Sequence, residues 1–196
     1  MRAFGLFLLL LVLGCPSSLP AYDYAKEPDP RNKELVLGVG DIVAVNVWEN
    51  KDLNTETTIR PDGTITIPLV GDLKAAGETP SALKEQIKKR LTDFVKLQGT
   101  EITVAVKDWK SYRFTIQGEV VRQGVFTSSS FVTVSDAIAI AGGPTRFAKQ
   151  RKVLLFRPVK GAAAPKSIPI DYEALSSGKR LDMNIFVLPG DTIYVP

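Results

Sequence analysis

Residues Arg60–Leu83 read RPDGTITIPLVGDLKAAGETPSAL. Pro61-Asp62-Gly63 is a tight-turn signature: proline presets one dihedral, aspartate bonds to nearby backbone, and glycine supplies a positive φ. Thr57–Arg60 before it and Thr64–Ile67 after it are rich in β-formers, which predicts a hairpin across the turn. Pro68-Leu-Val-Gly71 then ends the strand. Thr79-Pro80 opens a helix, with threonine as N-cap and proline at the first helical position. Leu83, Ile87, Leu91, Phe94 and Val95 recur at helical spacing, whereas Lys84, Lys88, Lys89 and Arg90 lie mostly off that face. Gly99 is the expected stop, and Glu101–Val106 (EITVAV) follows as a strand. So short a unit has no room for a doubly wound parallel sheet, and the class is α+β.

The same punctuation continues on both sides. Upstream, Asp41–Trp48 is a strand by residue type and length. Downstream, Tyr112–Gln117 and Val125–Thr127 flank a loop from Gly118 to Gly124 and form a second hairpin. Thr133-Val-Ser-Asp136 starts a short helix as a capping box, and Gly142-Gly143-Pro144 stops it. Val153–Phe156, Ser167–Ile170 and a final Asp191–Val195 read as strands, with a one-turn helix at 171–175. Two small modules result, the second β-grasp-like. LGVGDIVAVNV (37–47) and VLPGDTIYVP (187–196) share Gly-Asp before an alternating strand. In each, glycine (Gly40, Gly190) takes the strained dihedrals and aspartate (Asp41, Asp191) caps a turn re-entering a sheet. Nothing between the two stretches repeats, so they are independent uses of one local solution.

Composition removes whole classes of function. The 196 residues hold 25 Lys+Arg against 21 Asp+Glu, too mild an excess for a nucleic-acid partner. Histidine is absent, which removes the commonest general base and metal ligand. One cysteine excludes an internal disulfide or a multi-cysteine zinc site. No catalytic residue, cofactor or metal is expected. Ser81-Ala-Leu-Lys84 matches S-x-x-K but sits in a first helical turn without a K-T-G partner. Asp41, Asp62, Glu119 and Asp191 each lie beside a glycine at a strand end, where turn chemistry accounts for them better than a glycosidase pair does.

Two sets of side chains could meet a ligand. Trp48 and Tyr112 could stack on sugar rings, while Trp109 is assigned to packing at the module junction. Arg146, Lys149 and Arg151 form a basic loop that could steer an anionic glycan, with solvated surface as the alternative.

At the N-terminus, Met1-Arg2 precedes AFGLFLLLLVLG, far short of the roughly 20 residues that span a bilayer. This is a secretory signal peptide. It ends at Ala21, or at Gly14 if LVLGC is a lipobox and Cys15 is acylated. The lone cysteine at the end of the apolar run favours the second. The expected organisation is a signal peptide at 1–21, a flexible lead-in at 22–34, a first module at 35–110 and a second at 111–196.

LGVGDIVAVNVW (37–48), the 60–83 stretch, FTIQGEVVRQGVF (114–126) and TVSDAIAIAGG (133–143) together resemble the outer-membrane polysaccharide export (Wza-like) family. In that family a poly-export domain precedes an SLBB (soluble ligand-binding β-grasp) domain. Gln123 departs from the proline usual before Gly124, which affects only the turn. The resemblance implies a ring of identical subunits in the periplasm of a Gram-negative bacterium, conducting a capsule or exopolysaccharide, with a lipid anchor if Cys15 is acylated. Longer relatives add a further SLBB copy and a C-terminal membrane helix; Pro196 follows the closing strand directly. A short form is therefore expected, dependent on a separate outer-membrane β-barrel and an inner-membrane chain-length regulator (co-polymerase). The rival expectation is a monomeric periplasmic glycan-binding or sensing module without transport.

Overall fold

The computed structural model describes residues 21–94 and 102–196. Cys15, the N-terminal apolar run, Val95, Gly99 and Glu101 lie outside the described residues. The architecture is α+β, with two hydrophobic cores that share no residue.

The first core begins with β1 (Ile42–Val47), whose Val43, Val45 and Val47 alternate onto one buried face. β2 (Thr55–Thr58) pairs antiparallel with β1, and β3 (Thr64–Ile67) pairs with β4 (Gly71–Lys74) in a separate ribbon. α1 (Pro80–Leu91) lays Leu83, Ile87 and Leu91, each 0% exposed, on this core. Its N-cap is Thr79, whose side chain accepts from the Ala82 N–H. β5 (Ile102–Asp108) closes a three-stranded sheet on the other edge of β1.

Two expectations are corrected here. The Pro61-Asp62-Gly63 turn forms, with Gly63 N–H donating to the Arg60 carbonyl at 2.8 Å, but no ladder extends across it between β2 and β3. β2 is taken by β1. β3 instead turns back through Pro68-Leu69-Val70, which sends Ile65, Ile67 and Leu73 into the core. Likewise α1 ends at Leu91, and Phe94 is 60% exposed instead of continuing the apolar stripe.

The second module is built on a five-stranded mixed sheet. β6 (Arg113–Gly118) and β7 (Gly124–Thr127) make the expected hairpin. α2 (Val134–Ile140) starts with the full Thr133/Asp136 capping box. β8 (Val153–Arg157) and β9 (Lys166–Ile170) pair antiparallel, and α3 (Tyr172–Ser176) follows. β10 (Thr192–Val195) then runs parallel to β6 and antiparallel to β8, so the last strand occupies the middle of the sheet.

Residues 22–34, expected as a flexible lead-in, are a strap on this second module. Tyr24 is 6% exposed and its hydroxyl donates to the Pro169 carbonyl of β9. The Glu27 side chain, 3% exposed, receives Arg157 Nη1, Lys166 Nζ and the Tyr22 hydroxyl. The Arg31 guanidinium lies 4.6 Å from the Phe186 ring centre. Farther along, Glu34 accepts from the Ser81 N–H at the start of α1, where a helix favours a negative charge. The Pro- and charge-rich composition conceals this because, Tyr22–Glu27 apart, these contacts are made to residues at least 47 positions away.

Burial works to raise the Glu27 pKa, but the Lys166 and Tyr22 hydrogen bonds and the Arg157 charge outweigh it, and the net direction is down from 4.5. A carboxyl depressed by folding stabilises the folded state above its unfolded pKa and loses that contribution as pH falls through the folded one. Strap protection should therefore be complete at neutral pH and fail below pH 4.5. Pulse proteolysis between Tyr22 and Lys33 checks this; cleavage that rises instead between pH 6 and 8 would refute it.

Candidate functional site

An open concavity lies at one end of the first module's sheet, with a volume of about 1220 Å³. It is built where β1 runs out. After Val47 the chain turns through Trp48-Glu49-Asn50, makes a 3₁₀ turn at Lys51–Leu53 and enters β2. Asn54 holds this excursion shut by accepting the Val47 N–H at 2.8 Å through its side-chain oxygen. Leu53 is 7% exposed and plugs the loop from below, leaving the Trp48 indole 68% exposed at the rim. Asn46 and its cross-strand partner Thr103 line the floor, and Leu69 of the β3–β4 turn lines the wall.

Backbone strain collects here. Glu49 (φ 63°) and Leu69 (φ 65°) are the non-glycine residues with positive φ among those described, and both line the concavity. Such a conformation costs an L-residue about 1–2 kcal/mol, and it persists where surrounding contacts hold it and gather at functional sites. The result is an exposed indole and an exposed leucine, 57% accessible, facing a set of amides. An apolar surface with a few placed polar groups is the make-up of a small-ligand site, and an indole face suits the C–H face of a pyranose.

The other candidate residues are dispersed. Tyr112 cannot stack on a ligand: it is 0% exposed, donates to the Val187 carbonyl, accepts from the Val132 N–H and packs against Trp109. Burial raises its pKa. Trp109 is spent on packing, stacked on Tyr112 at 4.6 Å and edge-on to Phe131 at 5.0 Å. Arg151 is committed to a two-point ion pair with Glu173, at 2.7 Å for each contact. Arg146 lies over the neighbouring Phe147 ring, and the Lys149 N–H donates to the Pro196 carbonyl. None of Arg146, Lys149 and Arg151 lines the concavity.

The turn residues perform structural work. Gly40, Gly63, Gly71, Gly118, Gly124, Gly142, Gly143 and Gly190 all take positive φ. Asp62 accepts from the Thr64 N–H and hydroxyl. The two Gly-Asp turns are local copies, each aspartate accepting from the N–H three residues earlier: Gly38 for Asp41, Leu188 for Asp191. Their long-range partners differ. Asp41, 0% exposed, also receives the Ser111 N–H (2.7 Å) and hydroxyl (2.8 Å), so it ties the first module to the start of the second. Asp191, also 0% exposed, receives the Arg157 guanidinium. Neither Ser111 nor Arg157 carries a sequence signal for these roles.

Comparison with known proteins then decides the family. The family model described as polysaccharide biosynthesis/export protein matches residues 29–107, and the SLBB domain model matches residues 113–170. The chain carries a polysaccharide-export-family domain followed by an SLBB domain. Among relatives, the exopolysaccharide production protein ExoF of Rhizobium meliloti is 29% identical over 127 residues, covering 59% of this chain and 30% of that protein. The capsule polysaccharide export protein BexD of Haemophilus influenzae is 25% identical over 128 residues, covering 56% and 32%. The capsule polysaccharide export outer membrane protein CtrA of Neisseria meningitidis is 24% identical over 140 residues, covering 62% and 35%. The chain thus spans about a third of the length of the curated relatives it matches. The concavity lies wholly in the export domain. The SLBB match stops at 170, whereas the sheet it enters is completed by β10.

Proposed function

We propose that this chain is a non-catalytic component of an envelope machine that exports a capsule or exopolysaccharide. The observation that carries the reading is the order of the two domains, export then SLBB, with the exposed Trp48 concavity in the first. The names of the relatives, which describe capsule and exopolysaccharide export, support it. The chain acts in the periplasm or at the outer membrane. It forms a homo-oligomeric ring, with the glycan passing along surfaces that subunits share. Its partners are an outer-membrane β-barrel and an inner-membrane chain-length regulator. Among the described residues no helix is long and apolar enough to cross a membrane, so nothing described here supplies a helical pore.

The test is an in-frame deletion, complemented in trans, with surface and cell-retained polysaccharide measured separately. The expected result is loss from the surface, with polymer retained or synthesis stalled, and recovery on complementation. Unchanged surface polysaccharide in a strain without a second copy would reject export and leave a glycan-binding module.

A further inference from the structure

The geometry points to a more specific role for the concavity, resting on the export reading: we propose that it binds uncharged pyranose units of the passing chain and disfavours uronate or phosphate-bearing ones. The charge of its lining is the first reason. Among the described residues of the lining, Glu49 and Asp52 carry two carboxylates against the one ammonium of Lys51, a net of −1. A polyanion approaching this rim meets like charge, and the basic loop of the second module contributes no residue to the lining.

The second reason is the kind of polar group present. Asn46, Asn50 and Thr103 offer amide and hydroxyl groups, which both donate and accept and therefore match sugar hydroxyls. Among the described residues no arginine lines the wall, and with it goes the two-point recognition that carboxylate and phosphate usually receive. The third reason is Trp48. Its exposed indole offers a flat apolar face beside those amides, and the loop behind it is held by Asn54 and plugged by Leu53. A preformed platform loses little entropy on binding, which suits repeated weak contacts along a moving chain. An export surface must release each sugar as well as hold it, and one stacked ring with two or three hydrogen bonds meets that need.

The experiment uses the full chain with two probes of equal length, a neutral glucan hexasaccharide and a galacturonate hexasaccharide, followed by tryptophan fluorescence and calorimetry at low salt. The neutral probe should bind at least tenfold more tightly and shift the exposed Trp48 emission. Trp48→Ala should weaken the neutral probe at least tenfold with an unchanged far-UV circular dichroism spectrum. Glu49→Gln combined with Asp52→Asn should raise galacturonate binding severalfold while leaving neutral binding near its original value, a change that misfolding cannot produce. Equal binding of both probes, binding untouched by Trp48→Ala, or no binding of either would overturn the proposal. So would a Trp48→Ala variant that changes only mass in solution, since the concavity would then be a contact between copies of this chain. The deletion phenotype is read independently, so failure here leaves the export reading standing, and failure there does not alter which sugar binds.

Discussion

Arg157→Met should destabilise the second module by about 3–5 kcal/mol at neutral pH, the usual cost of removing one partner from a buried ion pair. Arg157 is 7% exposed, and all three of its guanidinium nitrogens have partners. Nε and Nη2 reach the Asp191 carboxylate at 2.7–3.2 Å, Nη2 also reaches the Phe186 carbonyl at 2.8 Å, and Nη1 reaches Glu27. Methionine keeps most of the aliphatic stem but leaves Asp191, whose side chain is 0% exposed, without its cation, and leaves the 3%-exposed Glu27 with Lys166 and Tyr22 alone. Burial already pushes the Asp191 carboxyl up, with Arg157 opposing it. Without the guanidinium, the Asp191 carboxyl rises further above its unfolded value, while Glu27 keeps the Lys166 and Tyr22 hydrogen bonds that lower its own. The penalty is then full above that raised pKa and fades as pH falls toward about 4, where the unfolded chain begins to take up protons as well. Urea titrations at pH 7 and pH 4 read this directly. Adding Glu27→Gln and Asp191→Asn to the variant should recover much of the loss at pH 7. A single-variant cost below about 1 kcal/mol would mean that the network is solvated and not structural.

Gly118→Ala is the second large effect, and its cause is steric. A Cβ on Gly118 would sit 2.0 Å from the Val195 carbonyl oxygen and 2.9 Å from its carbon, which are backbone atoms of the strand paired in parallel with β6. The residue also holds φ +94°, which a side chain resists. Overpacking of about 1–3 kcal/mol and the dihedral cost of about 1–2 kcal/mol together predict a loss of about 2–5 kcal/mol. The damage should concentrate at β10, so hydrogen exchange of the Ile193 and Val195 amides should quicken more than that of β8 and β9. Gly124→Ala is the control: its φ of +144° is equally unsuited to a side chain, but nothing lies within 4 Å. If the two variants melt alike, the close approach to Val195 is not the cause.

Both large effects involve β10, the last strand in the sequence and the central one in the sheet. The alternation of Thr192–Val195 marks a strand, but its neighbours β6 and β8 lie far upstream, and no local pattern names them. The same division runs through the candidate site. Trp48 was legible as an aromatic at a strand end, whereas Tyr112 was not distinguishable from it. Only the packing of the Val132–Val187 region over β6 sends Tyr112 inside, with both hydrogen bonds of its hydroxyl satisfied there. Arg151 looked like a free cation in a basic run until α3 brought Glu173 beside it.

Short-range chemistry therefore was decided by the sequence: the Thr79 and Thr133 caps, the Gly-Asp turns, the helical stripe of α1 and the α+β class. These depend on groups within a few residues of each other, whose spacing is set by covalent geometry. The tertiary structure alone decided which strand β3 pairs with, that residues 22–34 form a strap, and which aromatic faces water. Backbone groups of a strand can pair on either side, and buried charges such as Glu27, Arg157 and Asp191 are stable only where distant parts of the chain supply each other's partners.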